Sequence, residues 1–288
     1  MTELTKHSHQ KNSKYHYHLK SDKIYGDKKL KLCGKCIIPS NLSNDLKQLN
    51  KLTRNLNPED EEESHPIDFN KDLIDFEVLD LTAERQSGLN LPLVFLPNDL
   101  FSFKQLKRLH LDCNMIRVIP DMLGDNLVSL EILTITSNLL QSLPNSLANL
   151  KKLHSIHLAS NEFKQFPDVL CKIKTLRFLD LSSNKLESLP SMIGDLKNLE
   201  SLLLFQNNLK SVPKTIGKLE FLRTLWLGNN NLNSLPYKIT NLINLDWDDL
   251  NLTTNIDGNP LVDPPLEVCI KGLNSIREYY QNNNDMRN

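Results

Sequence analysis

Leucine and other large aliphatic residues recur along this chain with a period of 23 residues. Each unit reads Leu-x-x-Leu-x-Leu-x-x-Asn-x-Leu-x-x-Leu-Pro and continues with two more spaced leucines, with Ile, Val, Met or Phe at some positions. The second and third leucines are two residues apart, so both face one side of a short strand. One such strand cannot bury its apolar face alone, and the pattern therefore predicts stacked copies forming a parallel sheet over a continuous leucine core. Six clear copies begin at Leu106, Leu130, Leu153, Leu176, Leu199 and Leu222.

Two polar or rigid positions are filled in all six copies. The asparagine is suited to the turn that leaves each strand, where its side chain satisfies backbone groups that the sheet no longer pairs. The proline has no N–H to donate, so it ends regular pairing on the opposite, convex side. The predicted asparagine ladder comprises Asn114, Asn138, Asn161, Asn184, Asn207 and Asn230. The prolines are Pro120, Pro144, Pro167, Pro190, Pro213 and Pro236.

This repeat resembles the leucine-rich repeat. The resemblance implies an α/β fold, a curved leucine-rich repeat solenoid with a concave parallel β-sheet and a C-terminal capping helix. Residues 76–260 are assigned to about seven or eight repeats. Residues 76–105 fit a degenerate first copy, with Leu79 and Leu81 on its strand and an insertion near residues 85–91. Irregular terminal repeats are expected because their outer faces must be capped.

The last repeat has two possible frames. In one, Asn259 occupies the ladder position and residues 246–250 are an insertion. In the other, Trp247, Leu250 and Leu252 supply the apolar positions and Asn255 the ladder. The sequence does not choose between them.

Residues 261–288 are interpreted as a cap and tail. Apolar residues recur at helical spacing from Leu266 to Ile276, which predicts one helix over residues 266–280. This block resembles the end of the repeat array in Ras-suppressor-type and plant Ras-group-related intracellular proteins, and also the repeat block of Roco proteins. The resemblance spans residues 76–280. The chain has no Gly-x-x-x-x-Gly-Lys-Ser/Thr loop, so the GTPase activity of Roco proteins is not implied.

The amino-terminal segment divides by charge. Residues 1–40 are rich in lysine and histidine and are interpreted as a disordered basic tail or a partial cap strand carrying Leu30 and Leu32. Residues 41–75 are interpreted as a capping helix, with a leucine stripe from Leu42 to Leu56, followed by an acidic linker. A weaker alternative has the basic tail contacting a membrane surface. Cys33 and Cys36 have the spacing of half a zinc site or of a redox pair, but no second pair completes a zinc site, and Ile37-Ile38-Pro39 follows where a redox pair should open a helix.

Composition excludes several classes of function. The 34 Lys and Arg residues are balanced by 35 Asp and Glu residues, which argues against a nucleic-acid partner. No apolar run approaches the length of a transmembrane segment. The first 20 residues lack the apolar core of a signal peptide, and the five cysteines, odd in number and mostly scattered, fit a reduced compartment, so a cytoplasmic location is expected. No cofactor and no metal site are predicted.

Catalytic chemistry finds weak support. His157 and Asp180 are predicted neighbours on adjacent strands, with Ser182 nearby, which invites comparison with a hydrolase triad. An open sheet offers no pocket or oxyanion hole, so a polar cross-strand pair is the preferred interpretation. Cys171 and Arg177 have the spacing of a phosphatase loop, but no glycine lies between them. We therefore expect a protein that is not an enzyme.

The predicted concave face suggests partner binding instead. Large apolar residues on one face commonly mark an interaction site, and tryptophan is a frequent hot spot. The sequence thus favours a non-enzymatic protein-protein interaction scaffold for signal transduction, and the resemblance implies a Ras-type small GTPase as partner. Alternatives are a regulatory subunit of a protein phosphatase and, least favoured, a hydrolase. The predicted apolar contacts are Phe178, Leu203, Phe205 and Trp226, with His157, Asp180, Arg177 and Arg223 as a polar rim.

Overall fold

The computed structural model describes residues 18–19, 29–31, 77–83, 92–96, 98–247 and 253–285. Within them, ten strands form one sheet in chain order. The first pair is antiparallel, and every later neighbour is parallel. The strands are β1 (His18–Leu19), β2 (Lys29–Lys31), β3 (Val78–Asp80), β4 (Arg108–His110), β5 (Ile132–Thr134), β6 (Ser155–His157), β7 (Phe178–Asp180), β8 (Ser201–Leu203), β9 (Thr224–Trp226) and β10 (Thr254–Asn255).

Each strand is only two or three residues long because the turn that follows redirects the chain. The residue before each ladder asparagine has a positive φ, from 53° at Asn229 to 60° at Cys113. This left-handed conformation turns the backbone out of the sheet. From β3 to β9, the central residue of each strand and the residue directly after the strand point inward, as Leu179 in β7 and Leu181 just after it do, and both of these are fully buried. The predicted leucine-rich solenoid with its parallel sheet is confirmed.

The asparagines link each repeat to the one before it. The Asn184 side chain accepts a hydrogen bond from the Phe163 N–H at 3.1 Å and donates to the Leu158 carbonyl at 3.0 Å, both in the preceding repeat. It also donates to the carbonyl of Leu181 in its own repeat, at 3.0 Å. The other five predicted asparagines make the same bonds. The buried amide therefore pairs backbone groups that would be costly to leave unsatisfied.

The convex side of the solenoid, opposite the sheet, has regular secondary structure in the form of short helices. Short 3₁₀ helices begin directly after most of the repeat prolines, because the proline carbonyl accepts the first helical hydrogen bond, as Pro190 does from Ile193. One copy has a short α-helix instead, α1 (Met122–Asn126). The 3₁₀ helices are Asn98–Ser102, Asn145–Asn149, Asp168–Lys172, Ser191–Asp195, Lys214–Lys218 and Tyr237–Asn241.

At the carboxyl end the structure has the frame with Asn259 in the ladder. Its side chain accepts from the Leu232 N–H at 3.0 Å and donates to the Leu227 carbonyl at 2.8 Å. Asn255 lies on β10 opposite Trp226, so the alternative frame is wrong. Thr254, 1% exposed, fills the core position that leucine or isoleucine holds in β3 to β9.

The predicted single helix over residues 266–280 is wrong. The structure has two helices, α2 (Leu266–Cys269) and α3 (Leu273–Asp285), separated by Gly272 at a φ of 93°. That left-handed residue breaks the first helix, as glycine commonly does at a helix end. Helix α3 packs against the last 3₁₀ helix, where Arg277 donates to the Thr240 carbonyl at 2.8 Å. The helix still covers the end of the core, with Ile276 fully buried.

At the amino end, β2 pairs in parallel register with β3, so that Leu30 lies opposite Leu79. Strand β1 pairs with β2 in the antiparallel sense. The predicted helix around Leu42–Leu56, the acidic linker, the insertion near residues 85–91 and the Cys33–Cys36 pair lie outside the described residues. The domain boundaries drawn from the sequence stay predictions.

Candidate functional site: the concave face of the sheet

We define the concave face as the side chains that point away from the leucine core on β4 to β10 and the turns directly after them. They form three rows across the strands, because the strands stack in register. The first row is Arg108, Ile132, Ser155, Phe178, Ser201, Thr224 and Thr253. The middle row is His110, Thr134, His157, Asp180, Leu203, Trp226 and Asn255. The last row is Asp112, Thr136, Ala159, Ser182, Phe205, Gly228 and Asp257.

The part of this face on β4 and β5 is a closed polar network. The Thr134 hydroxyl donates to one carboxylate oxygen of Asp112 at 2.7 Å, and the Thr136 N–H donates to the other at 2.6 Å. The imidazole Nδ1 of His110 lies 3.1 Å from the Thr134 hydroxyl. Both oxygens of Asp112 therefore have donors within the protein. We infer that this network orders the sheet surface.

His157 is held in the middle of the face by two neighbours. Its Nε2 lies 3.0 Å from the hydroxyl of Ser155, on the same strand. Its ring stacks on Phe178 of the next strand, with the ring centres 4.5 Å apart. Burial by these contacts lowers the pKa of His157 below its ordinary value, although the negative charges of Asp180 and Asp112 act in the opposite direction. The imidazole is therefore neutral near pH 7.

The geometry does not assemble the triad considered from the sequence. His157 and Asp180 are opposite each other in the register of β6 and β7. However, the imidazole bonds to Ser155, and Asp180 Oδ1 accepts from the backbone N–H of Ser182 at 2.9 Å. The hydroxyl of Ser182 is buried without a hydrogen-bond partner. No Ser-His-Asp relay connects these side chains, because His157 and Asp180 bond to other groups and the Ser182 hydroxyl bonds to neither of them.

The predicted apolar contacts lie together on the face. Asp180 on β7 is opposite Leu203 on β8, and Leu203 is opposite Trp226 on β9. Phe205 follows Leu203 in the last row, beside Gly228. All four apolar side chains are half-buried and are less exposed than the sequence suggested, because neighbours such as His157 cover part of them. We call Phe178, Leu203, Phe205 and Trp226 the apolar surface.

The two arginines predicted as a rim lie along one edge of the sheet, one residue before the strands. Arg177 forms an ion pair with Glu200 at 3.5 Å, in which the Arg177 side chain is exposed and the Glu200 side chain is partly exposed. Arg223 follows Glu200 in the same column, where its backbone N–H donates to the Glu200 carbonyl at 2.8 Å. At the other end of the column Lys107 pairs with Glu77 at 2.7 Å. Charges of both signs therefore border the apolar surface on this edge.

One exposed apolar cluster was missed. Phe95 and Val118 occupy equivalent positions in consecutive repeats and are 57% and 68% exposed. Val94 and Met115 lie beside them, and the Met115 N–H donates to the Leu93 carbonyl at 2.8 Å. The equivalent positions in later repeats are polar, Ser142 and Ser188 among them. Comparing the same position across all repeats would therefore have identified this apolar cluster from the sequence.

Within the described residues, no group of three or more His, Cys, Asp and Glu side chains is placed to hold a metal ion. Cys113, Cys171 and Cys269 are free thiols. Cys171 is buried in a 3₁₀ helix, away from the concave face, and burial raises the pKa of its thiol to about 12. Such a thiol is a poor nucleophile at neutral pH. Across the described helices, none has the length and apolar character needed to cross a membrane.

Comparison with known proteins agrees with this architecture. A leucine-rich repeat model matches residues 104–163, and a leucine-rich repeat region model matches residues 164–255. No curated protein sequence matches the chain significantly.

Several solved structures are similar. The plant peptide hormone receptor RGFR1, in complex with RGF2, has a TM-score of 0.54 and 23% identity, over 66% of this chain and 29% of the receptor chain. The ectodomain of the membrane receptor kinase GASSHO1/SCHENGEN3 from Arabidopsis thaliana, in complex with CASPARIAN STRIP INTEGRITY FACTOR 2, has a TM-score of 0.52 and 27% identity, over 65% and 24%. PEPR1-AtPEP1 has a TM-score of 0.50 and 26% identity, over 66% and 29%.

The chain thus aligns with less than a third of the length of these three chains. The similarity concerns the repeats and not those chains as a whole. With two repeat models along residues 104–255 and a parallel sheet stacked on buried leucines, the chain is a leucine-rich repeat protein.

Proposed function

We propose that this protein is a non-enzymatic interaction scaffold that binds a segment of a partner protein on its concave face. Leucine-rich repeats generally mediate protein-protein interaction. The observation that carries the proposal is the apolar surface, where Leu203, Phe205 and Trp226 lie together on a face whose remaining side chains are mostly polar. Such a surface, bordered by charged residues, is typical of binding sites.

The similar structures support the same use of the fold. GASSHO1/SCHENGEN3 was solved in complex with CASPARIAN STRIP INTEGRITY FACTOR 2. In leucine-rich repeat proteins the repeated leucines and asparagines specify the core, while the outward positions vary freely between repeats. The side chains in the three rows of the concave face are therefore the ones that recognise the partner.

The partner that the sequence resemblance favours is a Ras-type small GTPase in the cytoplasm, within a signalling pathway. The competing partner is the catalytic subunit of a protein phosphatase. Purified protein immobilised on beads would separate the two. We expect retention of a small GTPase that depends on its bound nucleotide, whereas retention of phosphatase activity would favour the second partner.

The concave face is tested by comparing two phenylalanines. Phe205→Ala removes half-buried apolar area from the face, whereas Phe221→Ala removes a ring that is 58% exposed in the turn before β9. We expect Phe205→Ala to weaken partner binding by about tenfold or more, as hot-spot truncations do, and Phe221→Ala to leave it unchanged. The measurement is partner affinity by calorimetry, with circular dichroism to show that both variants fold. Equal affinities would contradict a concave binding site.

A further inference from the structure

The charge on the concave face changes along the solenoid. On β4 to β6 the face carries Arg108 together with Asp112, so both signs are present. On β7 to β10 the charged residues of its three rows are Asp180 and Asp257, and both are acidic. The nearby arginines, Arg177 and Arg223, lie outside these rows in the edge column. The apolar surface is therefore bordered by negative charge within the face itself.

Asp112 and Asp180 differ in how many of their carboxylate oxygens accept hydrogen bonds. Both oxygens of Asp112 accept hydrogen bonds, from the Thr134 hydroxyl and the Thr136 N–H. Asp180 uses Oδ1 to accept from the Ser182 N–H at 2.9 Å, while its Oδ2 accepts no hydrogen bond from the described part of the chain. A half-buried carboxylate oxygen without a protein donor is available to a donor from outside.

Among the residues that the structure describes, no cation forms an ion pair with Asp180. His157 is opposite Asp180 in the sheet register, but burial lowers its pKa, so the ring is neutral near pH 7. Arg177 is engaged by Glu200 at 3.5 Å in the edge column. Asp180 thus presents a negative charge directly beside Leu203, the first residue of the apolar surface on β8.

We propose that Asp180 binds a lysine or arginine of the partner, and that a large apolar side chain of the same segment packs on Leu203 and Trp226. This inference rests on the proposed function and specifies the chemistry of the bound segment. A cationic donor satisfies the second oxygen of Asp180 and forms a charge-assisted hydrogen bond, which is stronger than a neutral one. Burial of the apolar neighbour excludes water from that bond.

The sheet geometry sets the spacing of this motif. Asp180, Leu203 and Trp226 lie in one row on three consecutive strands, so Asp180 and Trp226 are about 9.6 Å apart at a strand separation of ~4.8 Å. A polyproline-type segment advances ~3.1 Å per residue and returns to the same face every three residues. A segment crossing the strands therefore presents its basic and apolar residues three positions apart.

The first experiment identifies preferred peptide ligands from a random library. Random twelve-residue peptides displayed on phage are panned against the immobilised full-length protein. We expect the enriched peptides to carry a lysine or arginine three positions from a large apolar residue. Enrichment of acidic peptides, or of apolar peptides without a basic residue, overturns the assignment of a cation to Asp180.

The second experiment measures binding of an enriched synthetic peptide, labelled with fluorescein, by fluorescence polarisation. Asp180→Asn keeps an acceptor for the Ser182 N–H but removes the charge, and we expect it to weaken binding about tenfold. Asp195→Asn is the matched control, because this exposed carboxylate lies on the 3₁₀ helix Ser191–Asp195 and pairs with Lys174 at 3.6 Å. Its affinity is expected to equal that of the unaltered protein.

Changing the peptide completes the test. A peptide with its basic residue replaced by glutamine should bind the unaltered protein and Asp180→Asn equally weakly, because the same contact is lost in both. If the basic residue or Asp180 proves dispensable while Phe205→Ala still weakens binding, the inference falls and the proposed function stands. If no peptide is enriched, or if Phe205→Ala leaves binding unchanged, the proposed function falls with it.

Discussion

Single side chains perform two separate tasks in this solenoid. The ladder asparagines face inward and form hydrogen bonds with backbone groups. Residues such as Asp180 face outward, and Asp180 uses only one carboxylate oxygen within the described part of the chain. The contrast between Asn207 and Asn208 shows how position decides the task. Asn207 is 6% exposed and bonds to both its own and the preceding repeat, while its neighbour Asn208 is exposed. The two asparagine side chains therefore contribute differently to the free energy of unfolding.

We predict that Asn207→Ala lowers the free energy of unfolding by about 1–3 kcal/mol, because it leaves the buried Leu186 N–H without a partner and removes one of the two donors to the Leu181 carbonyl, which keeps its bond from Asn184. Asn208→Ala should change it by less than about 0.5 kcal/mol. Chemical denaturation of the two variants measures the difference. A similar loss in both would mean that the ladder bonds contribute nothing beyond those of an exposed asparagine.

His157 makes stability depend on pH. Because burial lowers its pKa below the ordinary value of 6.5, the unfolded chain takes up a proton more readily than the folded chain. Its contribution to the free energy of unfolding is complete above pH 6.5 and is lost progressively as the pH falls below that value. Denaturation between pH 8 and pH 5 should show this loss, and His157→Gln should reduce it.

An NMR titration of the His157 ring tests the cause directly. Asp180→Asn should lower the pKa of His157 further, since the negative charge of Asp180 opposes the effect of burial. A ring that titrates above 6.5, or one that ignores Asp180, would contradict this account.

At the scale of elements, the sequence predicts the repeats from Leu106 to Pro236 because each fills the same core, ladder and proline positions. The last frame was undecided because β10 has Thr254 where β3 to β9 have leucine or isoleucine. The helix break at Gly272 was missed because apolar residues keep their spacing on both sides of it. The exposure of the apolar surface depends on side-chain contacts such as the ring stack of His157 on Phe178, which periodicity does not encode.

The cap helices give a prediction at this scale. Ile276 on α3 is fully buried, whereas Ile270, directly after α2, is 52% exposed. We expect Ile276→Ala to cost about 2–5 kcal/mol at the carboxyl end and Ile270→Ala to cost little. Hydrogen exchange should then accelerate at the Leu225 and Leu227 amides of the adjoining repeats and remain unchanged at Ile135. Uniform acceleration along the chain would show instead that the solenoid unfolds as one unit.

For the whole molecule, the hydrogen bonds of the ladder run from each repeat to the one before it, so each unit is positioned by its neighbours alone. The number of repeats can therefore change without altering the contacts within each repeat. Inserting one more 23-residue unit between β7 and β8 would satisfy every core and backbone requirement and still separate Asp180 from Leu203 by one extra strand, about 4.8 Å. In such a protein, gain or loss of a unit changes which ligands fit while leaving foldability intact.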